Sequence, residues 1–432
     1  MSGAEGPSDA PESPRANHPS KAIRPGRASV WFVLVVIVLD MMALGIILPV
    51  LPKLVEQMAG GDVSQAAMVY GLFGASWALM QLIFSPIIGA LSDRFGRKPI
   101  IVLSALGLGL DHILMALAPN LFILWIGRLL SGITAASFST ASAYIADITP
   151  PEERAARFGM IGAAFGLGFI LGPAIGGLLG QTDPRLPFWV AAGLSLTTFV
   201  YGAFLLPESL PRENRTPFTL AKANPWGSLR LLRSTPRLTQ FATVYFLIHV
   251  ATMSFPAVYV LYAGHRLGWG PAEVGLALAG VGVCTAVVEG FLVRPAVARI
   301  GEPRCLILGL LAGAAGFVIY AFAHNALMMM IGIPVMALWG LATAALASVM
   351  TREVDARQQG QLQGANSSLM GFGSLIAPLM FTQTFALAIA PSMPWWAAGA
   401  PFMLAALLLL LATGFARRGL AFAPRDDDKT AP

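Results

Sequence analysis

Long apolar stretches separated by short polar segments dominate this sequence. A helix needs about 20 mostly apolar residues to cross the hydrocarbon core of a membrane, and twelve stretches reach about that length. The pattern therefore predicts an all-α membrane protein with twelve transmembrane helices. The predicted spans are residues 29–51, 65–91, 99–118, 121–147, 156–180, 187–207, 238–263, 272–297, 304–323, 326–350, 361–390 and 396–416.

The composition supports the membrane assignment. Of the 432 residues, 56% are hydrophobic and only 12% are charged, whereas soluble proteins carry about 25% charged residues. The net charge of +6 is scattered through short loops, which argues against a nucleic-acid surface. Cys284 and Cys305 have neither disulfide nor metal-site spacing. No span or loop carries a nucleophile–base set or a metal cluster, so we expect no enzyme and no bound metal.

The basic residues predict the orientation of the chain. Of the 28 Lys and Arg residues, 23 fall on the side of the two chain termini, and only Lys53, Arg185 and Arg266 fall in loops on the other side. Because Lys and Arg concentrate in cytoplasmic loops, both termini are expected in the cytoplasm. Residues 1–28 lack an apolar face and are expected to form a disordered tail.

The longest polar segment divides the chain into two similar parts. Residues 89–96 find a degenerate repeat at 294–301, and residues 153–159 find another at 353–360. Such repeats predict two pseudo-symmetric six-helix halves around a central cavity. The predicted divisions are a tail at 1–28, halves at 29–207 and 238–416, a central cytoplasmic loop at 208–237, and a second tail at 417–432.

The segment between the second and third spans combines glycines, an acid and three bases. Its acid can accept hydrogen bonds from the arginines beside it, and Asp147, at the end of the fourth span, is a second acid within plausible reach of Arg97. One interpretation is a set of topology determinants, and the other is a gate that latches the halves in one state. The gate would use Gly89, Asp93, Arg94, Gly96, Arg97, Lys98 and Asp147.

The fifth span carries a regular glycine pattern. Gly168, Gly172, Gly176 and Gly180 recur every fourth residue and form one groove, which Pro173 is expected to bend. Small residues at this spacing allow helices to pack closely. Close packing and a thin interface on which the halves rock are compatible interpretations.

Few ionisable residues lie inside the spans, and each is therefore informative. Asp40, Asp111, Arg128 and Glu289 persist although a charge at the bilayer centre costs at least about 2.5–3.5 kcal/mol. Asp111 and Arg128 lie at matched depth and are expected to pair, either as a static salt bridge or as part of a transport path. A buried carboxyl such as Asp40 can hold a proton or a cationic substrate in turn, which is the simplest basis for antiport.

Several of these motifs resemble a known family over residues 30–416. The loop Gly89–Lys98 and the segment Gly127–Gly132 resemble motifs of the major facilitator superfamily, and Gly168–Gly177 resembles the motif of its proton-driven drug exporters. The chain is more closely similar to the tetracycline/proton antiporters at the following segments: Leu39-Asp40, Leu48–Pro52, Ala78–Gln81, Tyr144–Thr149, Leu206–Ser209 and Gln359–Gly364.

The resemblance implies a monomeric antiporter of the bacterial inner membrane that exports a hydrophobic drug, tetracycline-like or broader, in exchange for protons. It implies no cofactor beyond the proton gradient, allows a drug complexed with a divalent metal, and places Asp40, Gln81, Asp111 and Arg128 on the path. Its antiporter helix motif maps to Gly168, Gly172, Pro173, Gly176 and Gly177. A proton-coupled transporter of a metabolite or nutrient with the same fold is the alternative.

The chain also departs from the antiporters it resembles. They carry a histidine in the eighth helix and an acid in the ninth, where Thr285 and Gly313 stand here. Glu289 lies one turn beyond Thr285 on the same face. It either replaces the missing proton site or pairs with Arg294 or Arg299 near the cytoplasm.

Overall fold

The structure is a computed structural model that describes residues 27–135, 137–150, 153–217, 230–355 and 358–422. Within these residues every regular element is helical, and twelve helices are long and apolar enough to cross a membrane. The predicted all-α membrane fold is thus confirmed. We number the spans in chain order as α1 Val30–Met58, α2 Val63–Phe95, α3 Arg97–Leu117, α4 Leu121–Ile148, α5 Arg157–Thr182, α6 Leu186–Leu205, α7 Pro236–Leu267, α8 Pro271–Ile300, α9 Glu302–Phe322, α10 Ala326–Arg352, α11 Gln359–Ala388 and α12 Trp395–Ala421.

Several spans are interrupted. The first ends its long helix at Ile47 and, after a short turn, continues as the helix Leu51–Met58, in which Pro52 occupies the first turn. The predicted span ended at residue 51, whereas the chain stays helical to Met58, because a proline is tolerated in the first turn of a helix. A π-helical turn, Val288–Leu292, interrupts α8, and α10 breaks between Ala337 and Gly340.

The last helix runs to Ala421, beyond the predicted boundary at residue 416. Its final turn carries Arg418, and a cation there interacts favourably with the helix dipole. Residues 1–26 and 423–432 of the predicted tails, and residues 218–229 of the predicted central loop, lie outside the described residues.

The packing pattern repeats between the two halves. In the first half α1 packs on α5 and α6, α2 packs on α4, and α3 packs on α6. In the second half, correspondingly, α7 packs on α11 and α12, α8 packs on α10, and α9 packs on α12. Gly96 and Gly301 both lie between consecutive helices at positive φ, +108° and +78°, which favours glycine. The side chains of Asn120 and Asn325 cap α4 and α10. Both pairs are 205 residues apart, the spacing of the sequence repeat.

The bundle has two chemically different ends. We call the end that holds the start of α1 and the end of α12 the basic end, and the other the opposite end. The three bases of the opposite end are all engaged: Lys53 pairs with Glu56 at 2.9 Å, Arg185 donates to the carbonyls of Ala116 and Ala118, and Arg266 donates to those of Ala323 and Trp395. Pairing and helix-end capping therefore account for the bases outside the basic end.

Candidate functional site: the seam between the halves and the buried charges

The two halves pack mainly along two helix pairs, α2 with α11 and α5 with α8, and α7 makes smaller contacts with α2 and with the end of α1. On α2, a Cβ added at Gly71 would overlap Thr382, and one at Gly74 would lie 2.9 Å from the Pro378 ring. The Ser64 hydroxyl donates to the Ala386 carbonyl at 3.2 Å. These contacts lie in the part of α2 nearest the opposite end, so the seam is closed there.

The same four helices have open flanks toward the basic end. Nothing lies within 4 Å of a Cβ added at Gly89 of α2, Gly162 of α5, Gly290 of α8 or Gly360 of α11. Gly89, one of the predicted gate residues, has no such neighbour in this conformation. The contacts between the halves at these glycines thus lie toward the opposite end, and the four glycines nearer the basic end take no part in them.

The glycines of α5 serve two partners. Gly168, Gly172 and Gly176 pack on α1, and an added Cβ at Gly172 would lie 2.8 Å from the Gly45 Cα. Gly177 faces α8 instead, where a Cβ would overlap the Pro271 carbonyl. Pro173 lies within the helix, with its ring against Gly45 and its carbonyl against Gly275. One motif therefore fixes α5 to its own half and to the other half.

Asp111 and Arg128 lie in the interior of the first half. Asp111 is 1% exposed, and the Arg128 guanidinium interacts electrostatically with it and with Tyr70. No hydrogen bond joins the two side chains, and the Asp111 carboxylate interacts with the Ser131 hydroxyl instead. Arg128 also lies over the Trp77 ring, 5.7 Å from its centroid. The guanidinium is thus shared among several neighbours.

The other polar candidates of the first half lie on α1, α2 and α3. Asp40 of α1 is 7% exposed, and Gln81 of α2 is half-buried, next to Leu82, which contacts Gly371 of α11. His112 is buried on the α6 side of α3, where its Nδ1 lies 3.3 Å from the Ser195 hydroxyl. In the second half, the His249 ring bonds to Ser374 at 2.8 Å.

Glu289 belongs to the second half and is exposed, at the start of the π-helical turn of α8. Its side chain runs beside Gly340, where α10 resumes after its break. No ion pair joins it to Arg294 or Arg299, which are both described. Gly313 is enclosed, because a Cβ there would lie 2.9 Å from Leu409 and 3.0 Å from Trp339. An acid at Gly313 would therefore not fit.

Arg97 organises a charge cluster at the basic end. Its guanidinium pairs with Asp93 at 2.6 Å and with Asp147 at 3.0 Å, and it donates to the Ser92 hydroxyl. Arg94 lies over the Phe95 ring instead. All these partners belong to the first half, so in this conformation the cluster ties α2, α3 and α4 together and does not bridge the halves.

Sequence reasoning missed Glu208 as a member of this cluster. Its carboxylate accepts from the backbone N–H groups of Arg97 and Leu210 at 2.8 and 3.0 Å. A Cβ on Gly96 would overlap it. Glu208 was noted only within a family-like segment, because no local pattern shows that the chain after α6 returns to the start of α3.

A cavity of about 280 Å³ lies at the opposite end between α1, α2, α7 and α8. It is lined by the Lys53–Glu56 pair, by His265 and Trp269, and by backbone near Gly270. Among the described residues, no three His, Cys, Asp or Glu side chains gather into a possible metal site.

This arrangement of twelve membrane helices, two similar halves and buried charges defines a multi-pass membrane transporter. The chain belongs to the Major Facilitator Superfamily, whose family model matches residues 33–378 and 241–429. It is 38% identical to the class C tetracycline resistance protein of Escherichia coli, over 89% of this chain and 95% of the relative. It is 36% identical to the class B protein of Escherichia coli, over 82% and 88%, and 28% identical to multidrug resistance protein 2 of Bacillus subtilis (strain 168), over 78% and 84%.

Solved structures share the fold. The human organic anion transporter MFSD10 matches with a TM-score of 0.68 at 23% identity, over 91% of this chain and 99% of the other. A bacterial homolog of the human lysosomal transporter Spinster, in an inward-facing and unoccupied conformation, matches with a TM-score of 0.73 at 16% identity, over 94% and 100%. The transporter fold predicted from the sequence is confirmed.

Proposed function

We propose that this protein is a proton-coupled antiporter that exports a hydrophobic drug, tetracycline or a tetracycline-like compound, across the bacterial inner membrane. The observation that carries the proposal is the similarity to six tetracycline resistance proteins at 32–38% identity, together with buried acids on the helices of the first half. The chain works as a monomer, because it carries both halves itself.

The geometry supports alternating access. With the basic end toward the cytoplasm, the present conformation opens the space between the halves to the cytoplasm and closes it to the outside. Loss of the α2–α11 and α5–α8 contacts at the opposite end would open the other side. The two halves then rotate relative to each other about the glycines of α5. The Arg97 cluster gains partners in the second half as the basic end closes.

Proton and drug exchange at the buried carboxyls. A proton from outside neutralises Asp40 and Asp111, the carrier returns to the present conformation, and the proton leaves to the cytoplasm. The ionised Asp40 then attracts a cationic or metal-complexed drug, because a negative charge buried in an apolar interior is costly. Drug and proton cannot occupy one carboxylate together, so the movement of one drives the other.

Drug susceptibility of an expressing bacterial strain tests the proposal. We expect higher tolerance to several tetracyclines, lower cellular retention of the drug, and recovery of retention when a protonophore dissipates the gradient. Retention that does not respond to the protonophore would refute proton-driven export. Unchanged drug tolerance with a growth phenotype on a single nutrient would favour the metabolite transporter instead.

A further inference from the structure

Tyr70 connects the buried charges to the seam. Its hydroxyl donates to the Pro256 carbonyl of α7 at 3.2 Å, and this hydrogen bond crosses from the first half to the second. The same phenol interacts electrostatically with Arg128. The Ser64–Ala386 bond also crosses the seam, but Ser64 lies at the start of α2, about one and a half turns away from Tyr70.

The position of Tyr70 is fixed by its neighbours on α2. Gly71 and Gly74 press this part of the helix against Thr382 and Pro378 of α11. Since α2 cannot shift without separating from α11, the hydroxyl stays within reach of Pro256 while the opposite end is closed. Tyr70, Asp111 and Arg128 lie at similar depth, each about two turns from the opposite end of its helix.

The Arg128 guanidinium lies near two groups that can attract it, the Asp111 carboxyl and the Tyr70 phenol. An ionised Asp111 attracts the guanidinium, and a protonated Asp111 does not. Because no hydrogen bond locks the pair, the guanidinium can respond to this change. A positive charge beside the phenol oxygen makes the O–H a stronger donor, since linked polar groups polarise one another.

We propose that Tyr70 is a positioning residue that couples the protonation of Asp111 to closure of the opposite end. When Asp111 is protonated, Arg128 turns to the phenol and strengthens the bond to Pro256, so the opposite end stays shut. When Asp111 is ionised, Arg128 turns to it, the bond weakens, and the opposite end opens more readily. The proposal rests on proton-coupled antiport. It agrees with the direction of that cycle, because protonation closes the opposite end and the proton-loaded carrier must face the cytoplasm to release its proton there.

The charged and titratable groups around this relay are few. Arg128 acts on Tyr70, and Tyr70 and Asp111 act on Arg128. His112 of α3 also interacts with Arg128, but its ring nitrogen bonds to Ser195 of α6, away from the seam. Asp111 is thus the acid whose protonation state determines the position of Arg128. We call Asp111, Arg128 and Tyr70 together the relay.

Thiol labelling of purified, detergent-solubilised protein tests the relay. Ala67 is fully buried against the core of the second half, so Ala67→Cys, with Cys284 and Cys305 replaced by Ser, reports opening of the opposite end. With Tyr70 present, we expect a water-soluble maleimide to label slowly at acid pH and faster at alkaline pH, and Asp111→Asn to keep labelling slow at both. Tyr70→Phe should raise the rate at acid pH by about fivefold, the effect of one neutral hydrogen bond. It should also abolish the response to Asp111→Asn.

Two variants test whether the loss of any comparable hydrogen bond would have the same effect as Tyr70→Phe. Tyr262→Phe removes a phenol-to-carbonyl bond of 2.7 Å inside the second half and should leave labelling unchanged. Ser64→Ala removes an inter-half bond away from Arg128 and should leave the Asp111→Asn response intact. The relay is overturned if Asp111→Asn acts equally with and without the Tyr70 hydroxyl, or if Ser64→Ala also abolishes its action. Because the assay follows neither drug nor proton flux, its failure is distinguishable from failure of the export proposal.

Discussion

Enlarging Gly177 by one methyl group should push the halves apart at the opposite end. A Cβ there would overlap the Pro271 carbonyl and lie 3.0 Å from the Gly275 Cα, whereas carbon atoms pack best at about 3.5–4.0 Å. The helices α5 and α8 must therefore separate by roughly 0.5–1 Å. Overpacking of this kind costs about 1–3 kcal/mol, and only the conformation closed at the opposite end bears that cost. The equilibrium should shift about 5- to 150-fold toward the conformation open at that end.

Maleimide labelling of the Ala67→Cys reporter measures this shift as a faster rate in Gly177→Ala. Gly166→Ala is the matched control, because it lies on the same helix and nothing stands within 4 Å of its added Cβ. Gly176→Ala is a second control, because its added Cβ would overlap Ile46 of α1, within the same half. It should lower thermal stability without changing the labelling rate of the reporter. Equal labelling rates for Gly177→Ala and Gly166→Ala would refute the α5–α8 seam as the closing contact.

Substitutions at three further positions test other parts of the site. Asp40→Asn should abolish proton-driven export while size-exclusion profiles stay normal, and gradient-driven export by this variant would contradict the assigned role. Glu289→Gln should flatten the pH profile of transport if this acid carries a proton, and an unchanged profile leaves it structural. Glu208→Ala leaves the N–H groups of Arg97 and Leu210 without their charged acceptor and should cost about 1.5–3 kcal/mol of stability. Glu208→Gln, which keeps an acceptor, should lose less in a thermal unfolding assay, and equal losses would argue against the bonds.

The helices and their packing were largely predictable from the sequence. Hydropathy alone places twelve spans within a few residues of the observed helices, because a bilayer fixes both the length and the polarity of a crossing segment. The sequence repeat that relates Gly96 to Gly301 has a structural counterpart in the positive φ that both glycines adopt. The exceptions are local: Pro52 begins a helix rather than ending one, and α8 contains a π turn that no periodicity shows.

The partners of the buried groups could not be predicted. Matched depth places Asp111 and Arg128 at one level, but it does not reveal that Trp77 and Tyr70 also contact the guanidinium. Both lie on α2, and the sequence does not give the rotation of α2 about its own axis. Glu208 joins the basic cluster through the chain's return after α6, which is a tertiary feature. Gly313 excludes an acid only because Trp339 and Leu409 fill the space beside it.

Proton movement on addition of drug tests the central claim most directly. Inverted membrane vesicles that contain the protein are acidified inside, tetracycline is added outside, and a pH-sensitive dye follows the interior. The account predicts that the drug releases protons from wild-type vesicles while it accumulates, and that Asp40→Asn vesicles release none. Accumulation of tetracycline without any release of protons would contradict it.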